Sequence, residues 1–511
     1  MRGLKAGFYK RSDMINDHIL YILIYVVYLI VQFGAGIHVL FTKHEEPSSA
    51  LLWLLVITIL PVAGLLLYLM LGINRLKTME SSMRSSSDKF NSSKTIFTSA
   101  AAINNYLSCL LRFSPDRKLE PEPEYSRVLD TLLPDCKPLT SNNLELLEDG
   151  TMAYPRMLED IMSARYSIRM QSFIIMDDPV GRAIFDALAQ KAEEGIDVKV
   201  LYDSFGSFYA GVGHFFRRYS QRKIPKLRIR AFSPINIFAP WRIQMRNHRK
   251  LLVIDGGVAF VGGINISEEN IPLAKTPKRK HIHDLHCRIT GPCVADFQFQ
   301  FFKDWIFATG KALEDVAVAE DFPPPEPAGD AIVRVVNSGP GQNPEATQNV
   351  FFTAAATAQK YLWIMTPYFV PDHSYLSAIC MAAARGVDAR IIVPKNNNHF
   401  FVDMAAQSFY RKLLHKGVKI YERKGPFSHA KAMIIDGEWA YLGSSNCDVR
   451  SFRLNFELDF CVEKGSFLKD VEQQFRNELT QSDEVQMETI ENKKFIVRLM
   501  ENLCALLAPI L

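Results

Sequence analysis

The chain opens on two long apolar stretches, and everything after residue 120 is patterned differently. Ile19 to Phe41 and Ala50 to Leu71 run almost without a polar break. Each is about 22 residues, which as helix covers about 33 Å, the thickness of a bilayer core. The pattern predicts two membrane spans, 19–41 and 50–71, forming a hairpin over residues 1–75. Pro61 and Gly64 fall inside the second run, where a bilayer helix tolerates them. A signal peptide fits less well, because the first run exceeds an h-region, lacks an A-x-A site and is followed at once by its partner. Arg2, Lys5, Lys10 and Arg11 precede the hairpin, Arg75, Lys77, Arg84 and Lys89 follow it, and only Lys43 lies between the runs. By the positive-inside rule both ends face the cytoplasm. The expectation is a multi-pass protein of the cell membrane with its body on the cytoplasmic side.

Residues 76–125, rich in Ser, Lys, Glu and Pro, read as a connector with a short helix around Ile96 to Leu111. Beyond it, short apolar runs alternate with helical periodicity, as in an α/β fold. YSIRMQSFIIM, GRAIFDALAQKAEEG and VKVLY follow one another in the first half, and YLWIMTPYFV, SYLSAICMAAARG and ARIIV in the second. The same series occurs twice, so the chain reads as two duplicated α/β domains, each a sheet between helices: 126–320 and 331–490, joined by the Pro-rich linker 321–330. Residues 491–511 read as an amphipathic interfacial helix.

Each half ends its series on one sentence. Residues 248–265 read HRKLLVIDGGVAFVGGIN and residues 429–446 read HAKAMIIDGEWAYLGSSN, identical at eight of eighteen positions. Side chains two apart on a strand share a face, so His248 projects with Lys250 and His429 with Lys431. IDGG and IDGE make turns; Asp255 and Asp436 complete the motif there and are counted with its catalytic residues, serving the turn or scaffold more than the proton relay. The following strands end at Gly262-Gly263 and Gly443-Ser444, then at Asn265 and Asn446. Brought face to face, the halves supply two imidazoles, two ammoniums and two carboxamides. That set suits phosphodiester cleavage: one imidazole attacks phosphorus, the other handles the alcohol's proton, and Lys and Asn hold the non-bridging oxygens, with Gly263 and Ser444 beside them. Asp284 and Glu457 stand at comparable places after each motif as the acids that orient the histidines.

Charge and cysteines add limits. Lys+Arg 59 against Asp+Glu 55 leaves +4, too slight to argue for nucleic acid, and the basic stretches are not conspicuously interleaved with aromatics. Eight scattered cysteines without a CxxC fit reduced thiols. Metal ligation by His248, His283, His286 and His429 is disfavoured because a lysine beside each motif histidine repels a cation, so neither metal nor cofactor is expected. Residues 215–230 hold seven Lys/Arg and no acid, and 275–281 hold four more. These suit an anionic lipid surface. Phe238 to Trp241 reads as either an interfacial segment or the cap of a core strand.

The pattern H-x-K-x4-D-x6-G-[GS]-x-N, present twice, resembles the phospholipase D superfamily. The amino-terminal hairpin, TPYFVPD at 366–372, RNHRK at 246–250 and RSFRLNFEL at 450–458 are similar to bacterial cardiolipin synthases. The resemblance covers nearly the whole chain. It implies two α/β domains with one composite site, and phosphatidyl transfer from one phosphatidylglycerol to a second, giving cardiolipin and glycerol. It also implies His248 as nucleophile and His429 as general acid/base, roles that the near-equivalent motifs do not separate by themselves. Phosphatidylglycerol, other anionic phospholipids and the membrane are the expected partners; oligomeric state is not legible. A membrane-bound hydrolase or another phosphatidyltransferase on the same scaffold is the alternative.

Overall fold

The computed structural model describes residues 2–43, 47–72, 108–115, 122–234, 245–272, 281–311 and 319–506. Phe238–Trp241, the basic run 275–280 and Arg75, Lys77, Arg84 and Lys89 lie outside them. The chain separates into two compact units, 1–78 and 79–511.

In the first unit, helix α1 (Arg2–Thr42) contains an apolar segment long enough to span a bilayer, Tyr21–Thr42. The second apolar run is not the single helix expected. It is α2 (Pro47–Ile59), then α3 (Pro61–Leu67) and a π-turn, Tyr68–Gly72. Pro61 is the cause: without an N–H it cannot donate to the carbonyl four residues back, that of Ile57. The orphaned oxygen is not left bare, because Gln32 Nε2 of α1 donates to Ile57 O at 2.9 Å. In a bilayer no water could do this. A Cβ at Gly64 would lie 2.2 Å from Val56 O, so only glycine lets the broken segment fold back so closely. His38 Nδ1 and Tyr68 Oη, 2.7 Å apart, and the edge-on Trp53–Tyr68 pair fasten the hairpin further along.

In the second unit nineteen strands are found among the described residues. The first half supplies β1 (Pro138–Glu148), β2 (Ser167–Ser172), β3 (Asp197–Tyr202), β4 (Leu227–Ala231), β5 (Leu251–Ile254), β6 (Val258–Gly262), β7 (Ile282–His283) and β8 (Leu285–Thr290). The second half supplies β9 (Ala331–Ser338), β10 (Tyr361–Met365), β11 (Phe369–Val370), β12 (Asp388–Pro394), β13 (Lys419–Arg423), β14 (Phe427–Ser428), β15 (Ala432–Ile435), β16 (Trp439–Gly443), β17 (Cys447–Asp448), β18 (Glu457–Lys464) and β19 (Ser482–Glu484). Fifteen of them form one sheet in the order β19-β13-β12-β10-β15-β16-β18-β9-β1-β8-β6-β5-β2-β3-β4. Read outward from its centre, each half repeats one order: β1-β8-β6-β5-β2-β3-β4 on one side and β9-β18-β16-β15-β10-β12-β13 on the other. The duplicated domains therefore share one continuous sheet, joined where β1 and β9 pair antiparallel, Leu139 opposite Val333. The run of parallel pairs β2–β3–β4 ends the sheet in the first half, and in the second half β19 adds antiparallel beyond the equivalent run β10–β12–β13.

Helices cover both faces, and the strands that follow the motif histidines are apolar: every residue of β5, β15 and β16 is buried. One core runs across both halves, with Phe297, Phe301 and Trp305 of helix Val294–Thr309 and Phe475 of helix Phe467–Thr480 packed on it. Two features cross the expected boundaries. Helix Glu124–Leu132, at the end of the connector, packs into the second half, where Tyr125 stacks on Trp439 and Arg334 reaches Asp130. Asp321 and Phe322, at the start of the Pro-rich linker, are buried in the first half, where Asp321 pairs with Arg169 at 2.7 Å and Phe322 packs on Phe299. Helix Phe495–Leu506 lies on helix Phe400–His415, with Cys504 packed among Val370, Ala405 and Ala406.

Candidate active site

His248 and His429 stand just ahead of β5 and β15, and each is laced to the opposite half by its backbone. Phe456 N donates to Arg246 O and His248 N donates to Phe456 O, both at 2.9 Å. On the other side β14 pairs with β7, and His429 N donates to His283 O at 2.6 Å. Glu457 and Asp284 are the next residues along those partner segments. The side chains repeat the crossing: His248 Nδ1 lies 2.9 Å from Glu457 Oε2, and His429 Nδ1 lies 2.7 Å from Asp284 Oδ2. Sequence spacing selects these two acids without saying which histidine each serves; in the fold each serves the histidine of the other half. A carboxylate accepts, so each Nδ1 carries the hydrogen and each Nε2 keeps its lone pair.

The lysines lie alongside. Lys250 Nζ donates to His248 O at 2.6 Å, while Lys431 donates to His429 O and its Nζ is 3.5 Å from Asp284 Oδ2. Burial, with each lysine's charge, lowers both imidazoles, and His429, against Lys431, falls to about 3. Burial lowers Lys250 to about 7 and lowers Lys431 as well. Burial would raise Asp284, but Lys431 and His429 outweigh it and hold the carboxyl at about 2; His248 and Lys250 likewise hold Glu457 down. The site thus holds two neutral imidazoles, each clamped on an ionised acid.

Residues behind the pair explain the glycine and serine of the motif. A Cβ on Gly263 would lie 2.1 Å from Asp284 Oδ1, so the carboxylate occupies the space where a side chain would go. Ser444 Oγ instead donates to Glu457 Oε2 at 2.5 Å, and Ser451 Oγ and Asn455 Nδ2 donate to Oε1. Asn265 Oδ1 accepts from Ile174 N at 3.1 Å, which leaves its amide group for other contacts; Asn446 Oδ1 is buried with no hydrogen-bond partner among the described residues. Asp255 and Asp436 do not join this cluster. Each sits at positive φ before a positive-φ glycine, and its carboxylate takes three backbone N–H groups, of residues 165–167 and 359–361 respectively. These two carboxylates tie the turn to the start of the neighbouring strand.

Sequence reasoning missed several participants. Phe173 meets the His248 ring edge-on at 5.0 Å, and Tyr368 and Phe427 flank His429 at 6.0 and 5.8 Å. Arg249, inside the quoted RNHRK, points away from the cleft and is fully buried. It pairs with Asp304 and donates to Glu457 O at 2.9 Å and Ser338 O at 2.8 Å, so it joins the strand of one histidine to the acid strand of the other half. His283 bridges Asp149 Oδ1 and Glu478 Oε1, both at 2.9 Å, and these carboxylates raise it to about 10 against the opposing effect of burial. Glu148, His283 and Glu478 cluster as metal ligands would, but both ring nitrogens of His283 already face carboxylates and Arg423 pairs with Glu478.

The comparisons agree with this geometry. A family described as "Cardiolipin synthase, PLD-like domain" matches residues 157–305 and 352–479, one match in each half. A phospholipase D-nuclease amino-terminal family matches 30–72. The cardiolipin synthase of Halalkalibacterium halodurans is 32% identical over 93% of this chain and 91% of its own length. That of Clostridium perfringens is 31% identical over 92% and 95%. Among solved structures, the phosphatidylserine synthase of Haemophilus influenzae superposes with a TM-score of 0.58 at 16% identity, covering 76% of this chain and 100% of that one, which supports the fold. With a motif of the pair in each half, acids crossed between halves and relatives aligned over more than nine-tenths of its length, the chain belongs to the phospholipase D-like cardiolipin synthase family.

Proposed function

We propose that the protein is a membrane-bound phosphatidyltransferase that converts two phosphatidylglycerols to cardiolipin and glycerol through a covalent phospho-histidine. The observation that carries this reading is the crossed pair: two imidazoles with Nδ1 held by carboxylates and Nε2 without a hydrogen-bond partner among the described residues, with Lys250 and Lys431 beside them. A phosphodiester between the lysines restores their charge and offsets the cationic repulsion that depresses the histidines, so His429 takes up a proton as substrate binds. His248 Nε2 then attacks phosphorus. The bond from phosphorus to the glycerol oxygen breaks, and His429 gives that oxygen its proton. The glycerol hydroxyl of a second phosphatidylglycerol attacks the phospho-histidine and loses its proton to the now neutral His429, and His248 leaves. Lys250, Lys431, Asn265 and Asn446 bind the non-bridging oxygens and stabilise the charge of both transition states. Because side chains supply the positive charge, the reaction proceeds in chelator.

The hairpin makes the protein multi-pass, with the catalytic unit cytoplasmic, on the basic residues before and after it. Protease added to sealed inside-out vesicles should cut the catalytic unit; protection there would reverse the orientation. The activity test is reconstitution with phosphatidylglycerol as sole lipid and chelator present, with products weighed by mass spectrometry. Cardiolipin and glycerol in equal amounts support the transferase. Phosphatidic acid without cardiolipin makes the protein a hydrolase.

A further inference from the structure

The loops that hold the rings beside the two histidines also carry large apolar side chains pointing outward. After β3, Asp203 Oδ2 accepts from Asn247 N, next to His248, and Ser207 Oγ donates to Phe173 O. The same loop then turns Phe205, Phe208, Tyr209 and Val212 to solvent, Tyr209 by 76%. After β12, the strand equivalent to β3, Asn397 Nδ2 donates to Pro367 O and Asn398 Oδ1 accepts from Tyr368 Oη, whose ring flanks His429. Phe400 and Phe401 follow, both more than half exposed. The two loops occupy equivalent places in the duplicated sheet, and both make the same pair of connections, one inward to a histidine and one outward to exposed aromatics.

Helix Phe495–Leu506 extends the second of these patches. Its inner stripe, Glu501 and Cys504, packs on helix Phe400–His415, and Cys504 meets Val370, two residues beyond Tyr368. Its outer stripe is Phe495, Ile496, Leu499, Met500, Leu503 and Leu506, with Phe495 and Leu506 exposed by 73% and 76%. Lys494 and Arg498 lie exposed among them. An apolar stripe edged by cations is the pattern of a helix lying in the headgroup region of an anionic bilayer. Apolar surface of this extent is rarely left open to water.

We infer that the rim of the catalytic cleft is a lipid-docking face: the loop Phe205–Val212, Phe400–Phe401 and the outer stripe of helix Phe495–Leu506 enter the interface of an anionic bilayer. The inference rests on the lipid-substrate reading above and adds where the lipid enters. A headgroup passes from the bilayer to the histidine pair without its acyl chains crossing water. Docking also excludes the water that would otherwise compete with the second alcohol.

The cysteines allow a direct test, because all eight are buried and a cysteine introduced on the surface is labelled alone. The full chain, carrying Tyr209→Cys, Phe400→Cys or Leu503→Cys with an environment-sensitive fluorophore, is reconstituted in phosphatidylglycerol vesicles with or without brominated acyl chains. Lys469→Cys, exposed on helix Phe467–Thr480, is the control. All three positions should lose about half their fluorescence to brominated lipid and the control almost none, as expected for groups at the acyl boundary. Quenching at 209 and 400 no greater than at 469 overturns the inference, and so does quenching confined to 503, or full protection through capture by a second protein copy. Tyr209→Asp with Phe400→Asp should raise the apparent KM for vesicle lipid about tenfold while activity on detergent-dispersed lipid stays within about twofold. An equal loss in both media overturns it. Quenching is read without turnover, so a protein that docks yet makes no cardiolipin refutes the transferase reading and not this one.

Discussion

The two halves of the site are built from one plan and differ behind the histidines. On the His248 side the supporting acid, Glu457, is held by Ser444, Ser451 and Asn455, and Asp459 lies two residues on, its carboxyl raised by burial and by Glu457. On the His429 side the acid, Asp284, sits over Gly263, and the residue two along is His286, buried and held neutral, at about 3, by burial. Both lysines donate to the backbone of their own histidine, and Lys431 Nζ also lies 2.6 Å from His429 Nδ1. Arg249 braces the first histidine from behind, where the second half has Ala430. Symmetry supplies two imidazoles, and the differing supports give them different surroundings. That is what a reaction with one nucleophile and one proton carrier requires.

The largest effects separate the histidines by role. Replacing either His248 or His429 by Ala should lower kcat by at least about 10³-fold on phosphatidylglycerol. With a nitrophenyl phosphatidyl ester, whose leaving group needs no proton, His429→Ala should still release a burst of nitrophenolate and His248→Ala none. The opposite result would exchange the roles. Next come the acids: Glu457→Gln and Asp284→Asn should each cost about 10²- to 10⁴-fold in kcat by releasing the Nδ1 that fixes the tautomer. Equal losses from an acid and from the histidine of its own half, with the opposite histidine unaffected, would contradict the crossed pairing.

Stability effects come third. Arg249→Ala leaves Asp304 buried without its cation and should cost about 3–5 kcal/mol in urea unfolding, with no counterpart at Ala430. His283 offers a pH signature. Its folded pKa of about 10 exceeds the 6.5 of the unfolded chain, so its contribution is complete below pH 6.5 and disappears as pH rises toward 10. Over the full titration the wild type should lose on the order of 5 kcal/mol, and His283→Gln should remove that slope. The smallest effect belongs to the basic helix Phe215–Gln221. Arg218 already pairs with Asp177 and Arg222 with Asp186, so neutralising Arg217, Arg218 and Arg222 should alter vesicle activity by no more than about fivefold. A larger, salt-dependent drop would restore the stretch as a main lipid contact.

Much of this was legible in the residues. The repeated motif identifies both histidines, both lysines and, by spacing, both acids, and the strand–helix–strand series predicts a duplicated α/β body. What sequence did not disclose is long-range pairing. Nothing local in HRKLL says that His248 answers to Glu457, because that depends on Phe456 running beside Arg246 and His248. For Arg249, alternation alone sends the side chain to the back of the strand without saying that Asp304 and the Glu457 carbonyl lie there. The break at Pro61 is the reverse case: proline announces a lost hydrogen bond, but only the fold reveals Gln32 as the donor that replaces it.

The pairing of β1 with β9 has a bearing on ancestry. Two equivalent strands running antiparallel across a local two-fold axis are how identical subunits join in an isologous dimer. In such a dimer any substitution appears at both sites at once, so the two histidines would be bound to matching surroundings. Once the copies share one chain, each position of the pair becomes a separate genetic address. Ser444 opposite Gly263, Asp459 opposite His286 and Arg249 opposite Ala430 are differences that only a fused pair can hold. The continuous sheet has the geometry of such a dimer, with two halves free to differ.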